Sequence, residues 1–351
     1  MDLILLFVAF VVILLGAELF TNGIEWFGHK LGLAEGAVGS VLAAVGTALP
    51  ETMIPLIAIL FGGGHSDEIG IGAILGAPFM LATLAMFVTG VAVLASRRSR
   101  KTGATLEVSG SVLVHDMRFF VIAYAMAIAV AFLPADLAWP RFVVAGLLLV
   151  IYAVYVREHF QAEAGGGDPE LAPLRLNRLD RGDPGARDTS EPPRLRIVSV
   201  QVILALGCII GGAYLFVGAV TELSLSLGID EALLALIIAP IATELPEKFN
   251  SVIWVRQGKD TLAMGNITGA MVFQSAIPTS VALLFASSGW AITSGSLLAF
   301  ASAGMAFLAT AAVFLPLARG RALTGRTLLV GGPLYAIYVG LVIAQLSGAL
   351  G

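Results

Sequence analysis

Ten stretches of this chain are each apolar for about the 20 residues that a helix needs to cross a bilayer, and no other feature limits the possible folds so strongly. They lie at 2–22, 34–62, 69–96, 117–134, 139–158, 197–224, 231–256, 260–287, 291–316 and 327–348. Backbone groups in hydrocarbon must satisfy one another, so such segments fold as helices, and an all-α polytopic membrane protein is predicted. Composition agrees, with 58% of residues hydrophobic and 13% charged, where a soluble domain carries about 25% charged residues. The first helix follows Met1 and Asp2 directly, without a basic region or a small-residue cleavage site, so it is expected to be retained rather than removed as a signal peptide. The single cysteine, Cys208, excludes an internal disulfide framework and multi-cysteine metal centres.

Between the fifth and sixth spans, residues 159–195 carry AGGGDPE and RGDPGARDTSEPP, a composition that cannot build a core and is expected to form a flexible linker. Placing the N-terminus outside puts every lysine and arginine except Arg141 and Lys248 on cytoplasmic loops, including the RRSRK run at 97–101 and the arginines between Arg175 and Arg196. That bias predicts both termini outside and the linker in the cytoplasm.

The chain also repeats itself. A shift of 196 residues aligns LLGAELF (14–20) with IIGGAYLF (209–216), pairing Gly16 with Gly212, then LGLAE (31–35) with LGIDE (227–231), then GTALPE (46–51) with ATELPE (242–247). After a slip to 193, GAILGA (72–77) meets GNITGA (265–270). Five spans precede the linker and five follow it, and an odd number turns the second copy upside down. The predicted organisation is therefore ten transmembrane helices in two inverted five-helix repeats, 1–158 and 196–351, joined by 159–195, with the two LPE segments meeting near the bilayer midplane.

The run IATELPEKFNSV, from Ile241 to Val252, places two glutamates, a lysine and a proline inside an otherwise apolar segment. A charge at the membrane centre costs about 2.5–3.5 kcal/mol even on the gentler insertion scales. Proline removes an N–H and strains the preceding turn, so carbonyls around Thr47 and Thr243 are expected to lose their helical partners. Together with the carboxylates of Glu51 and Glu247 they make an oxygen-rich cage, and hard cations such as calcium take six to eight such oxygens. Gly72 with Gly76, and Gly265 with Gly269, stand four apart and are expected to allow close helix approach, forming the other wall of the site. Glu244 and Lys248 are also four apart, in the favoured order for pairing. An internal ammonium there would neutralise Glu244 and fill a charge slot otherwise open to a cation. Alternatively, Lys248 snorkels toward the cytoplasm along its apolar stem.

These segments, GTALPE with GAILGAPFM and ATELPE with GNITGAMVF, resemble the repeats of the calcium/cation antiporter superfamily, which includes the sodium/calcium exchangers, and the resemblance runs along nearly the whole chain. It implies that Glu51 and Glu247 are the central divalent-cation ligands, that Thr47 and Thr243 ligate through backbone or hydroxyl oxygen, and that Glu244 belongs to the same transported-cation site. Lys248, Gln274 and Asn266 become candidates for ion coupling. Several family ligands are replaced: the serines of the LPE motifs by Ala48 and Glu244, those of the glycine segments by Ala77 and Ala270, and the closing Asn or Asp by Leu81 and Gln274. The side chains that would line peripheral sodium sites are mostly missing, which departs from a three-sodium exchange.

The implied function is secondary antiport, in which a divalent cation, calcium by resemblance, is exchanged for sodium or protons by alternating access. The chain would be no enzyme, hold no cofactor, and have inorganic cations and the lipid bilayer of a prokaryotic plasma membrane, not nucleic acid, as partners. A cation channel, or a non-transporting membrane protein with paired buried carboxylates, is the competing reading. Glu18, Glu25, Glu222, His115 and Asp116 read as interfacial residues, His65, Asp67 and Glu68 as a solvated turn, and Trp26, Trp139 and Trp290 as interfacial anchors.

Overall fold

The computed structural model describes residues 2–32, 38–61, 66–161, 171–177, 193–227, 245–293 and 296–346. Helix α1 is Asp2–Lys30, and a π-helical segment, Val38–Ala43, runs into α2, Ala44–Phe61. Helix α3, Ser66–Met80, continues through a π turn, Leu81–Ala85, into α4, Met86–Ser96. Then come α5, Gly110–Ala129, closed by a 3-10 turn at Val130–Phe132, and α6, Trp139–Gln161. The second half supplies α7, Leu195–Leu227, α8, Leu245–Gln257, α9, Asp260–Phe285, α10, Leu297–Ala318, the short α11, Gly325–Leu328, and α12, Gly331–Leu346. Among the described residues the only β pairing is an isolated bridge between Thr105 and Thr324.

Among the described residues, eight helical stretches are long and apolar enough to cross a membrane, with Gly70–Ser96 (α3 into α4) and Gly325–Gln345 (α11 into α12) each taken as one, or nine if the bent pair in the second span counts as one more. Most of the seventh predicted span, 231–256, lies outside the described residues, which hold only its end as α8. The first span runs on to Lys30, and the fourth begins at Gly110, seven residues before its predicted start at 117. That early start matters below, because it carries His115 and Asp116 into a packed helix.

Helix α9 is the axis of the bundle. It is buried over 83% of its apolar window, against 22% for α6, and it packs on α2, the π segment, α3, α5, α6 and α8. Gly269 is what allows the closest of these contacts: a Cβ there would sit 2.0 Å from the carbonyl oxygen of Ser40. Around this core, Phe7, Phe142, Val150, Ile203 and Ile343 face outward, as a protein dissolved in lipid permits. Gly72 and Gly76 differ from expectation, since among the described residues nothing lies within 4 Å of the Cβ either would carry.

Helices α1 and α7 cross antiparallel on small residues. A Cβ at Gly16 would meet Ile209 Cγ1 at 3.0 Å, and one at Gly212 would meet Ile13 Cγ1 at 2.7 Å. Residues 172–176, within the stretch expected to be a flexible linker, are stitched to the same pair. Trp26 Nε1 donates to Ala172 O (2.8 Å), Arg175 N to Asn22 Oδ1 (3.0 Å), and Leu176 N to Gln201 Oε1 (2.8 Å). Gln201 Nε2 joins the two helices by donating to Leu19 O at 2.9 Å and Asn22 Oδ1 at 3.0 Å.

Burial sets apart three side chains near span ends, and for Trp290 it corrects the expectation. Arg100, from the basic run at 97–101, pairs with Asp260 at the start of α9 (Nη2 to Oδ2 2.6 Å, side chains 1% exposed) and donates to the Val255 carbonyl. Arg141 is buried and spends its guanidinium on the carbonyls of Leu133, Pro134, Leu137 and Trp290, where the chain turns between α5 and α6. Trp290 is not an interfacial anchor: it is fully buried, and its Nε1 donates to Ala127 O at 2.9 Å.

Candidate functional site

The second span is broken where its LPE motif lies. Ser40–Gly46 and Glu51–Phe61 meet at 62°, and Pro50 between them has no N–H to give the carbonyl of Gly46. Glu51 opens the second limb and is buried, at 7% exposure. One turn of helix is pinned beside it by Thr52, whose Oγ1 donates to Ala48 O at 2.7 Å.

Opposite stands Gln274, near the middle of α9. Pro278 removes the N–H that would have bonded the Gln274 carbonyl, and the Thr279 hydroxyl takes its place at 3.0 Å. The side-chain amide of Gln274, 1% exposed, then reaches across to α2. Its Nε2 lies 3.3 Å from Glu51 Oε2, 3.2 Å from Ala48 O and 3.2 Å from Thr52 Oγ1. Its Oε1 has no hydrogen-bond partner among the described residues. A carboxylate, a main-chain carbonyl and a hydroxyl thus converge on the amide nitrogen of Gln274 within the bundle's core, and their oxygens are groups that a hard cation accepts as ligands.

Of the other predicted site residues, Asn266 is fully buried in α9, and Lys248 is half-buried on α8. Glu247 lies in α8 and Thr47 in α2, but their side chains are outside what the structure describes, as are Thr243 and Glu244 entirely. The structure therefore brings Glu51 and Gln274 together, while the meeting of Glu51 with Glu247 and the pairing of Glu244 with Lys248 fall outside the described residues. Ala48 and Ala270 are wholly buried and Ala77 is 7% exposed, so where the resemblance would put serines, the core holds methyl groups without oxygen.

A second polar cluster was not anticipated. Asp116, read from sequence as interfacial, is completely buried on α5. Its Oδ2 accepts from Ser40 Oγ at 2.9 Å and Thr268 Oγ1 at 2.5 Å, and its Oδ1 from Tyr155 OH at 3.1 Å, with His159 Nε2 at 3.0 Å. Four elements, the π segment, α5, α6 and α9, thus converge on one carboxylate. The sequence signal that could have found it is thin: an Asp near the start of one span and a His at the end of the next, beside the Thr268 of the GNITGA segment.

A family model described as "Sodium/calcium exchanger protein" matches residues 1–157 and 197–347. The chain is 23% identical over 275 residues to the putative antiporter CaxA of Alkalimonas amylolytica, covering 77% of this chain and 76% of that protein. It is 22% identical over 274 residues to an uncharacterised membrane protein of Methanocaldococcus jannaschii, covering 77% of each. In fold it is similar to the H+/Ca2+ exchanger CAX, with a TM-score of 0.76 and 17% identity over 97% of this chain and 82% of that one. It is similar also to the sodium-calcium exchanger NCX_Mj, with a TM-score of 0.64 and 15% identity over 97% of both chains.

Proposed function

Because this chain belongs to the sodium/calcium exchanger protein family, whose members are transporters and not enzymes, we propose that it exchanges a divalent cation, calcium, for sodium ions or protons by alternating access. The cations are its cargo and no resident cofactor takes part. The observation that carries this reading is the contact between Glu51 and Gln274, which places a carboxylate and an amide at 3.3 Å between α2 and α9, deep in a lipid-embedded bundle. A buried charge in that setting needs compensation, and a transported cation supplies it.

In this reading Glu51 and Glu247 bind the divalent ion, Thr47 and Thr243 add oxygen ligands beside them, and Glu244 contributes charge. Lys248, Gln274 and Asn266 set which counter-ion is accepted. The alanines at 48, 77 and 270 support fewer than three sodium sites. Ten helices in two inverted halves, 1–158 and 196–351, with 159–195 in the cytoplasm and both termini outside, complete the proposal. The α1–α7 crossing supports inversion: Gly16 meets Ile209 while Gly212 meets Ile13, and both pairs are related by the same offset of 196 that aligns the repeats. Antiport follows if the empty, fully charged site resists crossing, since desolvated charges are costly, whereas an ion that bound both states equally would shift nothing.

Flux of radioactive calcium into proteoliposomes, driven in turn by a sodium and by a proton gradient, tests the proposal. Glu51→Gln and Glu247→Gln are each expected to abolish counter-ion-dependent uptake while the protein still melts cooperatively. Uptake that persists in both variants, or that needs no counter-ion in the native protein, would refute it, and the latter would indicate a channel.

A further inference from the structure

We propose that the cluster at the N-terminal end of α5 and the C-terminal end of α6 is a second cation site, separate from the transport site and selective for a first-row transition metal of the zinc class. His115, Asp116 and His159 each present one ligand atom, and all three atoms lie within 4.8 Å of one another. Glu158 stands beside them, its Oε2 2.6 Å from His115 Nε2.

The surrounding hydrogen bonds orient these groups as metal ligands are usually oriented. A ligating histidine commonly donates its other ring N–H to a carbonyl, and a ligating carboxylate is itself hydrogen-bonded. His159 Nδ1 lies 3.1 Å from Tyr155 O, which leaves Nε2 turned to the cluster. Asp116 Oδ2 is held by the hydroxyls of Ser40 and Thr268, and Oδ1, which accepts from Tyr155 OH at 3.1 Å, faces His159 Nε2 at 3.0 Å. The rings of His115 and His159 have centroids 5.0 Å apart, and Phe119 and Tyr155 wall the cluster.

Ligand chemistry decides the ion. Two imidazoles with carboxylates suit zinc, nickel or iron, whereas calcium and magnesium prefer all-oxygen sites. Nitrogen and oxygen ligands sit about 2.0–2.2 Å from zinc, so the cluster must draw in slightly to close on an ion. The residues that would move are the accessible ones, since the His115 and Glu158 side chains are 31% and 48% exposed while Asp116 and His159 are fixed at 0% and 5%. The same exposure gives an ion its route in. Because Asp116 also holds Ser40 of the π segment and Thr268 of α9, an ion that takes Oδ1 acts on the joint between the π segment and α9, the helix that also carries Gln274. The site would therefore regulate transport rather than carry cargo.

The full-length protein, stripped with chelator and titrated with cobalt(II), tests this. Nitrogen ligation in a four-coordinate site gives intense visible ligand-field absorption, which an oxygen-only six-coordinate site does not. We expect such absorption, its displacement by zinc, and a zinc-dependent rise in melting temperature. His115→Ala, a partly exposed position outside the Asp116 hydrogen bonds, should weaken both effects about 10-fold or more, while Glu51→Gln leaves them intact. Absence of the absorption, its persistence unchanged in His115→Ala, or its loss in Glu51→Gln would overturn the proposal. None of these outcomes depends on whether the chain exchanges calcium.

Discussion

Replacing Gln274 by glutamate would convert the amide opposite Glu51 into a second carboxylate at nearly the same place. The two groups stand 3.3 Å apart, and unit charges at that distance repel by about 5 kcal/mol at an effective dielectric constant of about 20. A repulsion of that size corresponds to more than three factors of ten in proton occupancy, so with no cation present one of the pair would hold a proton. A divalent cation would have to expel it. Its apparent affinity in Gln274→Glu should therefore rise about 10-fold for each pH unit of alkalinisation across the range in which the shared proton is held, a dependence the native pair of one acid and one amide does not impose. Above that range the variant should bind the cation more tightly than the native protein, because two negative charges then face it. Initial rates of calcium uptake into proteoliposomes at fixed sodium gradient, measured against calcium concentration from acid to alkaline pH, read this directly. If the variant keeps the native pH profile, position 274 does not share an ion with Glu51, and the assignment of the α2–α9 contact to the transport site falls.

Other expectations are simpler. Gly269→Ala should lower the melting temperature by an overpacking cost of about 1–3 kcal/mol or more, since the added Cβ lies 2.0 Å from Ser40 O, whereas Gly72→Ala, with open space among the described residues, should not. Arg100→Met should destabilise by about 3–5 kcal/mol because it leaves Asp260 buried without its partner, and pairing it with Asp260→Leu should recover much of the loss. The comparison is a denaturation series of the two singles and the double in detergent. Lys248→Met should change the sodium or proton dependence of transport if the ammonium fills a cation's charge slot; an unchanged dependence would dismiss that role.

How much of this was legible in the sequence depended on range. Apolar length is local, so the spans at 139–158 and 260–287 reappear as α6 and α9 within a few residues. Proline chemistry is local as well, and the break beside Pro50 falls where the LPE motif puts it. Gln274 was found as a departure from a family pattern, yet its role as donor to three groups on α2 is a matter of packing that no spacing encodes. The failures have the same physical origin. Asp116, Arg100 and Trp290 each stand near a span end, where composition predicts contact with water or headgroups, but their partners lie far away in the chain: Ser40 and Thr268 for Asp116, Asp260 for Arg100, Ala127 for Trp290. Burial of a polar side chain is decided by such distant partners, and local composition does not reveal them.

The hydrogen bonds from residues 171–177 to α1 and α7 give the connecting segment a role beyond joining two ends. Ala172 and Arg175 are held by Trp26 and Asn22, while Leu176 is held by Gln201. If the backbone were cut on the N-terminal side of this strip, the strip would stay with the later fragment and still grip the earlier one; a cut on the other side would reverse the roles. Covalent continuity is therefore not the sole bond between the halves, and a gene split on either flank encodes two polypeptides that each keep a docking contact for the other.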